Sequence, residues 1–110
     1  MKLAVIGSRG LKQVMVDDYI PDGVCEIVSG GAAGVDSLAK DFALRAGLRY
    51  TEFLPQYDLY GRAAPLKRNQ LIAEYADAAL ALWDGRSRGT KYTVELFRRL
   101  GKPVTLIIIE

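Results

Sequence analysis

Five short runs rich in apolar residues, at positions 2–6, 24–28, 50–54, 78–83 and 104–109, recur along this chain. Most are apolar at successive rather than alternate positions, which suits strands covered on both faces, as in parallel sheets. The segments between them carry helical spacing. Val35, Leu38, Ala39, Phe42, Ala43 and Ala46 share one helical face, and Gly47 follows where a helix-ending glycine belongs. Pro65 opens a further helix carrying Leu66, Asn69, Ile72, Ala73 and Ala76. Residues 90–100 form the last helix, with Val94, Leu96, Phe97 and Leu100 for packing, broken by Gly101-Lys102-Pro103. Residues 11–19 read as a short helix ended by Pro21-Asp22-Gly23, and 55–61 as a loop with aromatic residues.

Strand and helix therefore alternate as βαβαβαβαβ, which implies a parallel sheet with helices on both faces. Right-handed crossovers then favour strand order 3-2-1-4-5, a three-layer Rossmann-like α/β fold, with the flavodoxin-like order as the alternative. A chain of 110 residues is one such domain, spanning 1–110.

Residue supply narrows the chemistry. There is no histidine, which removes the usual general base near neutral pH and the commonest metal ligand. No metal and no other cofactor is expected. Cys25 is the one cysteine, so no intrachain disulfide can form, and a reducing, cytoplasmic setting fits. Its apolar neighbours suggest a small buried hydrophobe. With 15 basic and 13 acidic residues the net charge is +2, too balanced to announce a nucleic-acid or membrane partner. No run is long enough to span a bilayer.

In open α/β sheets, ligands sit beyond the carboxyl ends of the strands, near the point where strand order reverses. The turns expected there are rich in glycine, small hydroxyls and arginine. The strongest motif is Ser29-Gly30-Gly31-Ala32-Ala33-Gly34-Val35-Asp36, between a strand and a helix. Small residues let an anion approach the main chain, and a helix N-terminus offers unpaired N–H groups and a favourable dipole. Gly7, Ser8 and Arg9 follow the first strand, where an arginine can clamp phosphate with two hydrogen bonds. Asp84, Gly85, Ser87, Gly89 and Thr90 form a second glycine-bearing turn that lacks P-loop spacing. Arg68 and Asn69 supply further polar groups from the helix opened by Pro65. Asp36, in a first helical turn, suits a ligand hydroxyl such as a ribose. A dinucleotide site is disfavoured, since Gly7-Ser8-Arg9-Gly10 is not G-x-G-x-x-G and Val28-Ser29 ends the second strand without an acidic residue.

Val5-Ile6-Gly7-Ser8-Arg9, the segment 28–36, Trp83-Asp84-Gly85 and Gly89-Thr90 together resemble the nucleotide-binding core of DNA-processing protein A (Smf) and the LONELY GUY proteins. These form the SLOG superfamily, and the match is best to its short, stand-alone bacterial and phage members. The resemblance implies a Rossmann-like domain, often dimeric, that binds nucleotides or nucleotide-derived ligands. Its LONELY GUY branch implies hydrolysis of the N-glycosidic bond of nucleoside 5′-monophosphates by an arginine and a glutamate. Glu95 is the glutamate nearest to the Gly-Thr pair, and Asp36 is the other carboxylate candidate. The reading that asks least of the residues is a ligand-binding or sensor module for a nucleotide-like molecule, acting as a homodimer. Phosphoribohydrolase activity is the alternative, and handling of single-stranded DNA stands third.

Overall fold

The computed structural model describes residues 1–8, 10–11, 14–31 and 34–109. Five parallel strands, β1 (Lys2–Gly7), β2 (Glu26–Ser29), β3 (Arg49–Glu52), β4 (Ala78–Trp83) and β5 (Val104–Ile108), lie in the order β3-β2-β1-β4-β5. The helices are α1 (Val35–Ala46), α2 (Tyr57–Tyr60), α3 (Ala64–Tyr75) and α4 (Arg88–Arg99). The strand order reverses between β1 and β4, which pair from Leu3↔Ala78 to Gly7↔Leu82. The Rossmann-like arrangement expected from the alternation is therefore the one observed.

Residues on successive positions of the central strands feed two different cores. Leu3, Val5, Ile27, Leu80 and Leu82 face α1, meeting Val35, Ala39 and Ala43. Ala4, Ile6, Val28, Ala79 and Ala81 face the other way, toward Ile72, Ala73, Val94 and Phe97 of α3 and α4. That second face is lined largely by alanine, which lets two helices settle close to the sheet. Fully buried Phe97 fills the space between them. Lys102, just before β5, donates from Nζ to the carbonyls of Ala73 (2.7 Å), Glu74 (2.9 Å) and Ala76 (2.7 Å). One ammonium thus satisfies the carbonyls that the end of α3 leaves open.

Several local expectations change. The third strand, expected at 50–54, spans Arg49–Glu52 and leaves Leu54 exposed. Residue 11 and residues 14–19 do not form the expected helix: among them only Val16–Tyr19 winds, as a 3₁₀ turn. Leu11, Val14, Tyr19 and Ile20 instead lie over the α1-side core as irregular cover. Residues 57–60, read as loop, form the short helix α2, which buries none of its residues. The second strand starts at Glu26 rather than Val24, leaving Cys25 exposed beside the N-terminal ammonium, which donates to its Sγ at 3.3 Å. Glu26 is buried in its place. Its Oε2 accepts from Thr51 Oγ1 (2.9 Å) and from the Tyr75 hydroxyl, and those bonds hold the carboxyl below its usual range. Among the described residues no helix is long and apolar enough to cross a membrane.

Gly7 ends β1 where α1 passes overhead. A Cβ there would lie 2.6 Å from Val35 Cγ2 and 2.7 Å from the Leu82 carbonyl oxygen. Gly7→Ala is accordingly expected to lower stability by about 1–3 kcal/mol, read as a shift of the urea midpoint. Alanine at 35 keeps the Cβ that would lie 2.7 Å away, and the Leu82 carbonyl remains, so Gly7→Ala/Val35→Ala should not recover the loss.

Candidate functional site

A cleft of about 470 Å³ opens at the carboxyl end of the sheet, where strand order reverses. Gly7, Ser8 and Gly10 enter it from the end of β1, Gly30 from the end of β2 and Asp36 from the first turn of α1. The turn between β4 and α4 adds Asp84, Ser87 and Gly89, and α4 itself adds Thr90 and Thr93. Pro65, Leu66, Arg68, Asn69 and Ile72 form the α3 wall. Its size falls in the range of small-ligand sites, about 300–1,000 Å³.

Arg68 is 9% exposed. Its Nη1 donates to the Gly30 carbonyl at 2.8 Å and its Nε to Asn69 Oδ1 at 2.7 Å. A Cβ on Gly30 would fall on the guanidinium itself, nearest Nη1 and 2.9 Å from Cζ. The glycine is thus the seat of the arginine, and it sets a permanent positive charge against the cleft wall.

The turn before α4 is assembled by its own side chains. Asp84 Oδ1 accepts from the backbone N–H groups of Arg86 and Ser87, both at 2.8 Å, while Asp84 N donates to Ser8 Oγ at 3.2 Å. The Trp83 indole donates to the Ser87 carbonyl at 2.9 Å, and Gly85 takes φ +82°, open to glycine without strain. Ser87 caps α4, its hydroxyl accepting from Thr90 N and Oγ1. The product is a helix whose N-terminal turn, at Gly89 and Thr90, lines the cleft. The backbone donors to Asp84 hold its carboxyl below the usual range.

Ser29, Gly31, Gly34 and Gly85 shape the turns without lining the cleft. Ser29 is fully buried and shares a hydrogen bond with the Tyr50 hydroxyl, which in turn donates to Glu52 Oε1 at 2.9 Å. Burial first, and Glu52 beside it, push the Tyr50 phenol well above its ordinary value. Gly31 and Gly34 have φ of +71° and +74°, and a Cβ on Gly31 would meet Leu54 and Glu52. Arg9 and Ala32 lie outside the described residues. Glu95 is not in the cleft: it borders a separate depression with Trp83, Lys91, Val94, Arg98 and Leu106. Of the carboxylates singled out from the sequence, Asp36 and Asp84 are the ones brought to the cleft.

The sequence reading passed over Pro65, Leu66, Ile72 and Thr93. Positions 65, 68, 69 and 72 follow helical spacing from Pro65, so a stripe containing Arg68 was available as a signal. Thr93 stands one turn after Thr90, and its Oγ1 donates to the Gly89 carbonyl at 2.9 Å.

Comparison with protein-family models gives no match, and comparison with curated proteins gives none. Among solved structures, DNA processing protein A from Helicobacter pylori superposes with a TM-score of 0.74 at 21% identity, over 100% of this chain. The chain shares the Rossmann-like fold of the matched part of that protein. It spans 66% of the length of that Helicobacter pylori chain, whose structure was described for a single-stranded DNA binding mode. At 21% identity the likeness to DNA processing protein A is one of architecture.

Two outcomes follow from the geometry. Gly30→Ala is expected to destabilise the chain by about 1–3 kcal/mol. In an Arg68→Ala background most of that loss should vanish, giving a double-mutant coupling of about 1 kcal/mol or more by urea denaturation. Asp84 has a folded pKa below its ordinary 3.8, so its contribution is complete above 3.8 and is lost as pH falls through the lower folded value. The stability advantage of the parent over Asp84→Asn should therefore shrink on acidification, and a constant difference across the acid range would contradict the assignment.

Proposed function

We propose that this cleft binds the phosphate of a nucleotide or nucleotide-derived ligand, as a binding or sensor module. The observation that carries the reading is convergence: the buried Arg68 guanidinium, the Gly30 turn and the N-terminal turn of α4 all border one cavity. Backbone N–H groups and a helix dipole at that turn favour an anion, and an arginine beside them adds a full charge. We assign phosphate binding to Ser8, Gly30, Arg68, Ser87, Gly89 and Thr90. Asp36 and Asn69 take the sugar or base, against an apolar surface from Ile6, Pro65, Leu66 and Ile72. The motifs at 5–9 and 28–36 also support a place in the short bacterial and phage branch of the SLOG superfamily.

A second reading, binding of single-stranded DNA, is favoured by the surface beside the cleft and by the fold shared with DNA processing protein A. Tyr57 and Tyr60 are 57% and 40% exposed, in the segment leading to the α3 wall. Lys67 Nζ stands 5.8 Å from the Tyr60 ring centroid, Arg62 is exposed two residues after Tyr60, and Arg86, Arg88 and Lys91 are exposed around the N-terminal end of α4. Aromatic faces alternating with cations suit stacked bases and their phosphates.

Calorimetric titration with nucleoside 5′-monophosphates and their parent nucleosides tests the first reading. Monophosphates should bind more tightly, and Arg68→Gln should weaken them by about 10- to 100-fold, the worth of a hydrogen bond to a charged group. Equal affinity for nucleosides and monophosphates would overturn it. Filter binding of oligonucleotides tests the second: affinity must fall with added salt and with Tyr57→Ala/Tyr60→Ala. Chromatography of the same mixtures for free base reports whether Asp36 or Asp84 supports hydrolysis.

A further inference from the structure

The peptide group between Gly30 and Gly31 is gripped at both ends. In a trans peptide the carbonyl and the N–H point opposite ways. On one side the Gly30 carbonyl accepts from Arg68 Nη1 at 2.8 Å. On the other the Gly31 N–H donates to Ser29 Oγ at 3.4 Å. Nothing in the two residues themselves fixes this plane, because a peptide flanked by glycines turns with little steric penalty. Ser29 is better anchored. It ends β2, it is fully buried, and its carbonyl accepts from Phe53 N at 2.9 Å. What remains to be set is the direction of its hydroxyl.

That direction is settled from β3. Tyr50 and Glu52 stand two residues apart on the strand, so their side chains leave the same face. The Tyr50 hydroxyl donates to Glu52 Oε1 at 2.9 Å, and a carboxylate only accepts. Burial keeps the proton on the phenol. With that proton committed, the Tyr50 oxygen is left to accept, and the Ser29 hydroxyl that shares a hydrogen bond with it must donate. The Ser29 lone pairs then face the Gly31 N–H. Gly31, Ser29, Tyr50 and Glu52 thus form one relay in which every donor points toward the carboxylate, and bonds ordered in this way strengthen one another. Ser29, Tyr50 and Glu52 do not line the cleft, so the relay acts from behind its Gly30 wall.

We propose that Tyr50 is a positioning residue for the cleft: through Ser29 it holds the Gly30–Gly31 peptide in the orientation that seats Arg68. Turned over, that peptide would present its N–H to the guanidinium, donor against donor, and the buried charge would lose the Gly30 carbonyl. Packing alone does not call for the hydroxyl, since a phenylalanine ring would lie against the α1-side core as well as the tyrosine ring does. The hold on the peptide is a matter of the fold; its consequence for a phosphate rests on the reading of the cleft given above.

Tyr50→Phe keeps the ring and removes the hydroxyl. In the ligand-free chain, hydrogen exchange followed by nuclear magnetic resonance should quicken by about fivefold or more at the Gly31 amide and the Arg68 guanidinium, and stay as in the parent at Val5 of β1 and Leu80 of β4. In calorimetry, nucleoside 5′-monophosphates should bind Tyr50→Phe about 5- to 10-fold more weakly, and their parent nucleosides as before. In an Arg68→Gln background Tyr50→Phe should cost no further affinity, because the arginine it positions is gone. Unchanged exchange at Gly31 and Arg68 overturns the proposal. Exchange that rises equally at Val5 and Leu80 overturns it too, since the hydroxyl would then support the whole fold. Faster local exchange with no loss of monophosphate affinity, or a parent that does not separate monophosphates from nucleosides, strikes the phosphate reading instead and leaves the positioning to the exchange data. If Tyr50→Phe does not fold, Glu52→Ala, at the exposed end of the relay, decides by the same measurements.

Discussion

The Arg68 guanidinium occupies the space that a side chain at Gly30 would fill, and its Nη1 bonds to the Gly30 carbonyl at 2.8 Å. That one contact ties α3, on one face of the sheet, to the turn that leads into α1 on the other. It brings a permanent charge to the carboxyl edge without a long, mobile surface side chain, and Asn69 steadies it by accepting from Nε. The contact joins two walls of the cleft, since the turn after β2 and α3 both line that one cavity.

The opposite wall is built on a different principle. Asp84, Ser87 and Trp83 spend their polar groups on the turn itself, so that the first N–H groups of α4 are directed by a framework of local bonds. The sequence reading gave Asp84 to the ligand. Structurally its Oδ1 already accepts from Arg86 and Ser87, and its contact with the cleft comes in addition to that duty.

How much could be read in advance follows from where the punctuation lies. Residues 35–46 stand between Gly34 and Gly47, and β4 is an uninterrupted apolar run, so both were legible to the residue. Residues 11–19 misled because Leu11, Val14 and Val16 are apolar for covering the core, which an irregular chain does as well as a helix. The helix at 57–60 has no buried face, and without one there is no periodicity to find. The glycine turns of the site were legible because their small residues sit at strand ends. Of the α3 wall, polar Arg68 and Asn69 were legible but Pro65, Leu66 and Ile72 were not, since Ile72 serves both the core and the cleft, and one stripe masked the other.

Two positions of the cleft, Gly7 and Gly30, leave no room for a side chain beside their present neighbours. Gly7 is closed off by Val35 and the Leu82 carbonyl, and Gly30 by Arg68. Single substitutions there would disturb the fold before they altered selectivity. Variation among descendants of this chain, or in the hands of an engineer, is therefore channelled to exposed Leu66 of the α3 wall, which can change shape and polarity with little penalty to the core. Fixed chemistry and adaptable preference thus share one wall of the cavity, Arg68 and Leu66 standing two residues apart on α3.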